Sequence, residues 1–188
     1  MKVRRKIMVL IYPFMMKILK LTGIRMRILK NENNILPPVS FYSLKAVLNN
    51  GEEISFEQFK NRKILIVNLA SECAFTPQYS ALENLFQSGQ SLIILGFPSN
   101  DFGKQEPGND KEIIHFCREK YGVTFPVFQK NSVSGKSRQT VYQWLTDKNK
   151  NGWNEEEPQW NFYKYLVDEQ GKLAGVFSSA VPPEAIPV

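Results

Sequence analysis

Two cysteines, Cys73 and Cys117, carry the nucleophilic chemistry open to this chain. A cysteine thiolate attacks electrophilic oxygen, as in a peroxide, and is left as a sulfenic acid. Cys73 stands directly after the apolar run ILIVNLA (64–70) and just before a helix predicted to open near Thr76. Backbone N–H groups and the positive end of a helix dipole favour thiolate in such a place. The same position also suits a small, inert, buried cysteine, so position alone leaves both readings open. His115, beside Phe116 and Cys117, is the only histidine. One histidine and one cysteine make at most half a metal site, and two cysteines are too few for a disulfide scaffold. A Cys–His dyad would have to use His115, which falls in a different predicted element from Cys73. The SGKS stretch at 134–137 ends like a phosphate-binding loop, but Lys130 stands where that pattern needs glycine, so it reads as a turn.

Short strands and helices must position these groups. SFYSLKAVL and EEISF read as a hairpin joined at Asn50-Gly51. The β-branched run 64–70 and SLIILGF (91–97) read as strands buried on both faces. Residues 76–87 predict a helix with Thr76 as N-cap and Pro77 in the first turn. Asn109 or Asp110 opens a second helix, which carries Cys117 and ends at Gly122. VFQK reads as a short strand, RQTVYQWLTD as a helix, and FYKYLVD with LAGVFS as a terminal hairpin. This order predicts an α/β fold with right-handed crossovers, a thioredoxin-like layered sheet being the compact way to use it.

The net charge of +6 is concentrated at one end of the chain. Residues 1–30 hold nine of the 24 Lys and Arg and no acid, which leaves 15 basic against 18 acidic residues elsewhere. The body is therefore mildly acidic, and a nucleic-acid partner is not expected for it. Residues 1–36 read as a basic apolar arm and 37–188 as one domain, the pattern changing at Pro37-Pro38. The apolar run 7–16 is too short to cross a bilayer of about 30 Å, no small-residue cleavage site follows it, and Lys17 and Lys20 oppose extending it. Residues 17–30 pattern as a basic amphipathic helix. The arm reads as lying on an anionic membrane surface, against a loosely ordered extension or an uncleaved N-terminal anchor.

Longer motifs decide what position alone does not. VNLASECAFTPQYSALENL resembles the nucleophile motif of glutathione peroxidases in its cysteine, non-selenium form. LGFPSNDFGKQEPGNDKEI is similar to that family's second motif and QWNFYKYLVDEQGK to its third, with YGVTFPVF between them in the right order. The resemblance runs from about Ser40 to Glu184. It implies a thioredoxin fold and a catalytic set of Cys73, Gln105, Trp160 and Asn161, with no cofactor and no metal. The three partners are neutral hydrogen-bond donors, able to hold a thiolate and a peroxide oxygen without adding charge.

The resemblance further implies a thiol peroxidase that converts hydrogen peroxide and organic or lipid hydroperoxides to water or alcohol through a Cys73 sulfenic acid. Cys117 is then the resolving cysteine or, since it stands one position earlier on its helix than in the plant-type pattern, a buried cysteine packing under His115 and Phe116. The absence of long insertions between Asp147 and Trp160 resembles monomeric members reduced by thioredoxin rather than glutathione. A cytoplasmic location follows, peripheral on the inner membrane face if the arm lies there. Departures from the family pattern are Ala74 for glycine, Ser99 for a cysteine, Asp101 for an amide, and a link between the first helix and the next strand that is a few residues short. The negative charge of Asp101 is expected to raise the Cys73 pKa. A redox sensor or relay using the same cysteines is the alternative reading.

Overall fold

The computed structural model describes residues 26–88 and 92–188. Its centre is β4 (Lys63–Leu69), whose continuous apolar sequence is explained by its surroundings. Ile64 and Ile66 enter one core, while Leu65, Val67 and Leu69 enter another on the opposite face of the sheet. Each such side chain taken from water contributes about 1.5–3 kcal/mol. Parallel to β4 runs β5 (Leu92–Pro98), every residue buried. The crossover between them contains helix α1 (Gln78–Gln87).

On the other side of β4 lies β6 (Lys164–Val167), followed by β7 (Leu173–Phe177) and β1 (Ile28–Lys30), all antiparallel. The sheet is therefore mixed, in the order β1-β7-β6-β4-β5. A separate hairpin pairs β2 (Lys45–Val47) with β3 (Glu53–Ser55). Its turn is closed by Gly51 N–H donating to Leu48 O at 2.9 Å, with Gly51 at φ 92°. Helix α2 (Asp110–Tyr121) carries a capping box between Asn109 and Glu112, and left-handed Gly122 ends it. Helices α3 (Thr140–Leu145) and α4 (Lys148–Asn151) follow.

Three segments depart from the sequence reading. The first residues of SFYSLKAVL form a 3-10 turn, Phe41–Ser43, because Phe41 turns inward between Phe56 and Trp144 (ring centroids 5.2 and 5.0 Å). VFQK makes only isolated bridges, Val127 to Gly96 and Phe128 to Leu48. Pro126 precedes it and has no N–H to offer a ladder.

The third departure concerns the arm. Residues 1–25 lie outside the described residues, and with them most of the predicted amphipathic helix. Residues 28–30, read as that helix's end, form β1 instead. The open edge of β7 supplies backbone partners there, and Leu29 packs toward the core while Ile28 and Lys30 stay exposed. Tertiary pairing overrides helical periodicity at this point. Arg27 reinforces the join through a 2.7 Å ion pair with Glu156. Among the described residues, no helix is long and apolar enough to cross a membrane.

Candidate active site

Beyond the end of β4 the chain turns through Ser71 and Glu72 to Cys73 before α1 begins. Thr76 does not cap that helix. Pro77 occupies the cap position, and the Thr76 hydroxyl accepts from Cys73 N–H at 3.0 Å and donates to Ala70 O at 2.9 Å. The hydroxyl thus closes the cysteine turn on itself. The Cys73 side chain is almost fully buried, 1% exposed, and Phe75 N–H donates to its sulfur at 3.4 Å. Burial pushes the thiol pKa up. Hydrogen bonds from Phe75 N–H, the Asn161 and Trp160 side chains and Ala74 N–H pull it down. The thiolate-favouring donors expected from the sequence are present, but the loss of water outweighs them.

Trp160 and Asn161 are held over the cysteine by a residue the sequence reading passed over. Asn68, buried inside β4, donates from Nδ2 to Trp160 O at 3.0 Å and accepts from Tyr163 N–H at 2.8 Å. Its backbone carbonyl accepts from Phe162 N–H at 2.7 Å. These bonds fix the bend in which Phe162 adopts a left-handed φ of 63°. The available signal was a lone amide in an otherwise apolar strand, since a buried polar group must find partners. Lys164, also missed, ties the same bend to the C-terminal segment. Its buried ammonium donates to Phe162 O at 2.9 Å and Val181 O at 2.8 Å.

Gln105 arrives on the loop after β5, whose tight turn uses consecutive left-handed residues Gly103 and Lys104. Asn161 Nδ2 donates to Gln105 Oε1 at 2.9 Å, and Glu72 N–H donates to Gln105 O at 3.0 Å. A Cβ on Gly103 would lie 3.4 Å from both the Gln105 amide and the Trp160 ring. The structure therefore brings Cys73, Gln105, Trp160 and Asn161 together from three loops. Trp160 is not a core residue; it is 39% exposed and forms the open side of the site.

Cys117 sits on α2, fully buried in the same apolar core as Cys73, and both thiols are free. Burial raises its pKa to about 12. The Tyr79 hydroxyl lowers it and the charge of Glu106 raises it. His115 lies on the exposed face of α2, and no group of three or more metal-ligating side chains occurs among the described residues. Asp101 is not among the largest influences on Cys73; its carboxylate is engaged elsewhere. Its Oδ2 accepts from Val133 N–H at 2.7 Å, Ser134 N–H at 3.1 Å and the Ser132 and Ser134 hydroxyls, and burial and hydrogen bonds dominate the Cys73 shift.

A buried cysteine ringed by neutral donors, at the strand ends of a mixed sheet, defines a thioredoxin-fold thiol protein. A DsbF homologue from Corynebacterium diphtheriae shares this fold at a TM-score of 0.57 and 14% identity, over 84% of this chain and 87% of that one. The crystal structure of Trgpx in its apo form superposes at a TM-score of 0.60 with 35% identity, over 78% of this chain and 89% of that one. The glutathione peroxidase family model matches residues 41–146, and the chain belongs to that family. Glutathione peroxidase-like peroxiredoxin 2 of Saccharomyces cerevisiae is 45% identical over 149 residues, 78% of this chain and 92% of the yeast protein. The glutathione peroxidase homolog BsaA of Staphylococcus epidermidis is 44% identical over 149 residues, 78% of this chain and 94% of that protein.

Proposed function

We propose that the protein is a thiol peroxidase that reduces hydrogen peroxide and organic hydroperoxides, with Cys73 as the peroxidatic residue. The observation that carries this reading is the convergence of Phe75 N–H, Trp160 and Asn161 on one sulfur. Ionised Cys73 attacks the terminal peroxide oxygen. An S–O bond forms as the O–O bond breaks, and the leaving alkoxide or hydroxide takes a proton to become alcohol or water. Trp160 and Asn161 are dipoles set in advance around the sulfur, so stabilising developing charge costs no reorganisation during the reaction. Gln105 holds Asn161 in register.

The Cys117 sulfur then attacks the sulfenic sulfur, expelling water and leaving a disulfide that an external dithiol reduces. Bridging needs Cα atoms within about 7 Å, and local opening of α2 supplies the approach. The short link from Asp147 to Trp160 supports thioredoxin as that dithiol and a monomeric enzyme. The arm is read as a membrane-surface contact on the cytoplasmic face, from its composition alone. The sensor reading has no observation in its favour.

Hydroperoxide-dependent NADPH oxidation with thioredoxin and thioredoxin reductase tests the reading. Wild type turns over and Cys73→Ser does not. An active Cys73→Ser enzyme would remove the assignment.

A further inference from the structure

The turn that follows β7 is tied to both halves of the site. Val181 N–H donates to Ser178 O at 3.0 Å and closes this turn. Ser178 is pinned to the start of β1: its N–H donates to Arg27 O at 2.9 Å, and its hydroxyl accepts from Arg27 N–H at 3.1 Å. Two buried side chains reach the turn from different elements. Gln78, the first residue of α1 and 1% exposed, donates from Nε2 to Ser179 O at 2.8 Å. Its backbone N–H donates to Phe75 O at 2.9 Å, which joins it to the turn that carries Cys73. Lys164 of β6, fully buried, donates to Val181 O at 2.8 Å and to Phe162 O at 2.9 Å. Phe162 directly follows Trp160 and Asn161 in the chain.

We infer that Gln78 and Lys164 are positioning residues for the peroxidatic step: through the Ser178–Val181 turn they set where Trp160 and Asn161 stand relative to the Cys73 sulfur. The inference rests on the peroxidase reading and adds two residues to it. A closed path carries it. The chain runs from Cys73 to Gln78, and hydrogen bonds cross from Gln78 to the turn and from the turn through Lys164 to Phe162. The Asn161 and Trp160 side chains then return to the sulfur. Phe162, at φ 63°, holds a conformation that a non-glycine residue keeps only where its surroundings fix it. Asn68 fixes this bend against β4, and Lys164 fixes it against the turn. Both side-chain donors are buried, so removing either leaves a carbonyl without its partner.

The test uses the full chain and compares wild type with Gln78→Met, which keeps the length of the side chain and removes its donor. Two quantities are read on folded protein: the second-order rate of Cys73 oxidation by hydrogen peroxide, and the pH dependence of Cys73 alkylation by iodoacetamide. The rate is expected to fall about 10- to 100-fold, the scale of an ångström's misplacement. Alkylation is expected to move toward alkaline pH as the thiolate donors loosen. In an Asn161→Ala background the same substitution should cost several-fold less, because a residue it positions is gone. Gln78→Asn, an amide one methylene shorter, makes the same comparison should Gln78→Met fail to fold. A residue that only stabilises the fold would lower the urea midpoint, leave the alkylation profile in place and cost the same factor in both backgrounds; that outcome overturns the inference and leaves the peroxidase standing. A wild type that alkylates at Cys73 yet is not oxidised by hydrogen peroxide overturns the peroxidase reading, and the positioning role with it.

Discussion

Asn161 reaches the Cys73 sulfur while its Nδ2 donates to Gln105 Oε1 at 2.9 Å, so one carboxamide joins the nucleophile to the loop after β5. Asn161→Ala is expected to remove a donor and this link together. Losing one preorganised donor to developing charge costs about 10²- to 10³-fold, and kcat/KM for hydrogen peroxide should drop on that scale. Gln105→Ala leaves the donor in place and should cost less. Equal losses in stopped-flow oxidation of the two variants would show that Gln105 contacts the peroxide itself.

The pH profile follows from the buried sulfur. Burial raises the Cys73 pKa above that of an ordinary thiol, so the thiolate fraction is small at neutral pH and grows as pH rises. The second-order rate with hydrogen peroxide, like the rate of iodoacetamide alkylation, should climb through the range pH 7 to 9 without a plateau. Asn161→Ala removes an interaction that lowers the pKa, so its profile moves further to alkaline pH. A plateau below pH 7 in wild type would contradict the burial argument.

Cys117, raised to about 12 by burial, is a protonated and inaccessible thiol while α2 is intact. Disulfide formation should therefore be limited by opening of that helix. Asn109 accepts from Glu112 N–H at 3.1 Å in the capping box, and Asn109→Ala costs about 1 kcal/mol of helix stability. The variant should form the Cys73–Cys117 disulfide several-fold faster after a peroxide pulse, followed by mass spectrometry of quenched samples. Cys117→Ser should instead accumulate Cys73 sulfenic acid. A slower Asn109→Ala enzyme would mean that the ordered helix assists the step.

Lys164 has its pKa lowered to about 7, mainly by burial, well below the ordinary value of about 10.4. Above pH 7 the folded protein holds fewer protons at this position than the unfolded chain, so stability rises with pH from there toward the ordinary lysine value. Buried Cys73 and Cys117, with raised pKa values, oppose this only as unfolded thiols begin to ionise. Between pH 7 and 8.5 the lysine should add about 1–2 kcal/mol of stability, at up to 1.36 kcal/mol per unit. Urea denaturation should show that gain in wild type and not in Lys164→Met. Parallel curves for the two proteins would place the proton elsewhere.

The four residues of the candidate site were legible as motif members, and β4 and β5 as doubly buried strands, because a continuous apolar run admits few other environments. The supports were harder to read. Asn68 looked like a blemish in a strand, and its role depends on the bend at Phe162, ninety-four residues away in the chain. Lys164 carries a charge, which ordinarily predicts exposure, and only the packed fold shows that two carbonyls receive it. Thr76 met the local rule for a helix cap but serves the cysteine turn instead, since Cys73 N–H competes for its hydroxyl. β1 was misread because three residues with helical spacing cannot reveal that a sheet edge will claim them.

That edge has a consequence for handling the molecule. β7 is flanked by β6 on one side and, on the other, only by the three residues of β1. A truncation at the Pro37-Pro38 junction, where the sequence pattern invites one, would strip β7 of its outer neighbour and leave a row of unpaired N–H and C=O groups facing solvent. Exposed borders of this kind recruit strands from other chains. The short segment at the root of the arm is thus a selvage that keeps the sheet from fraying into its neighbours.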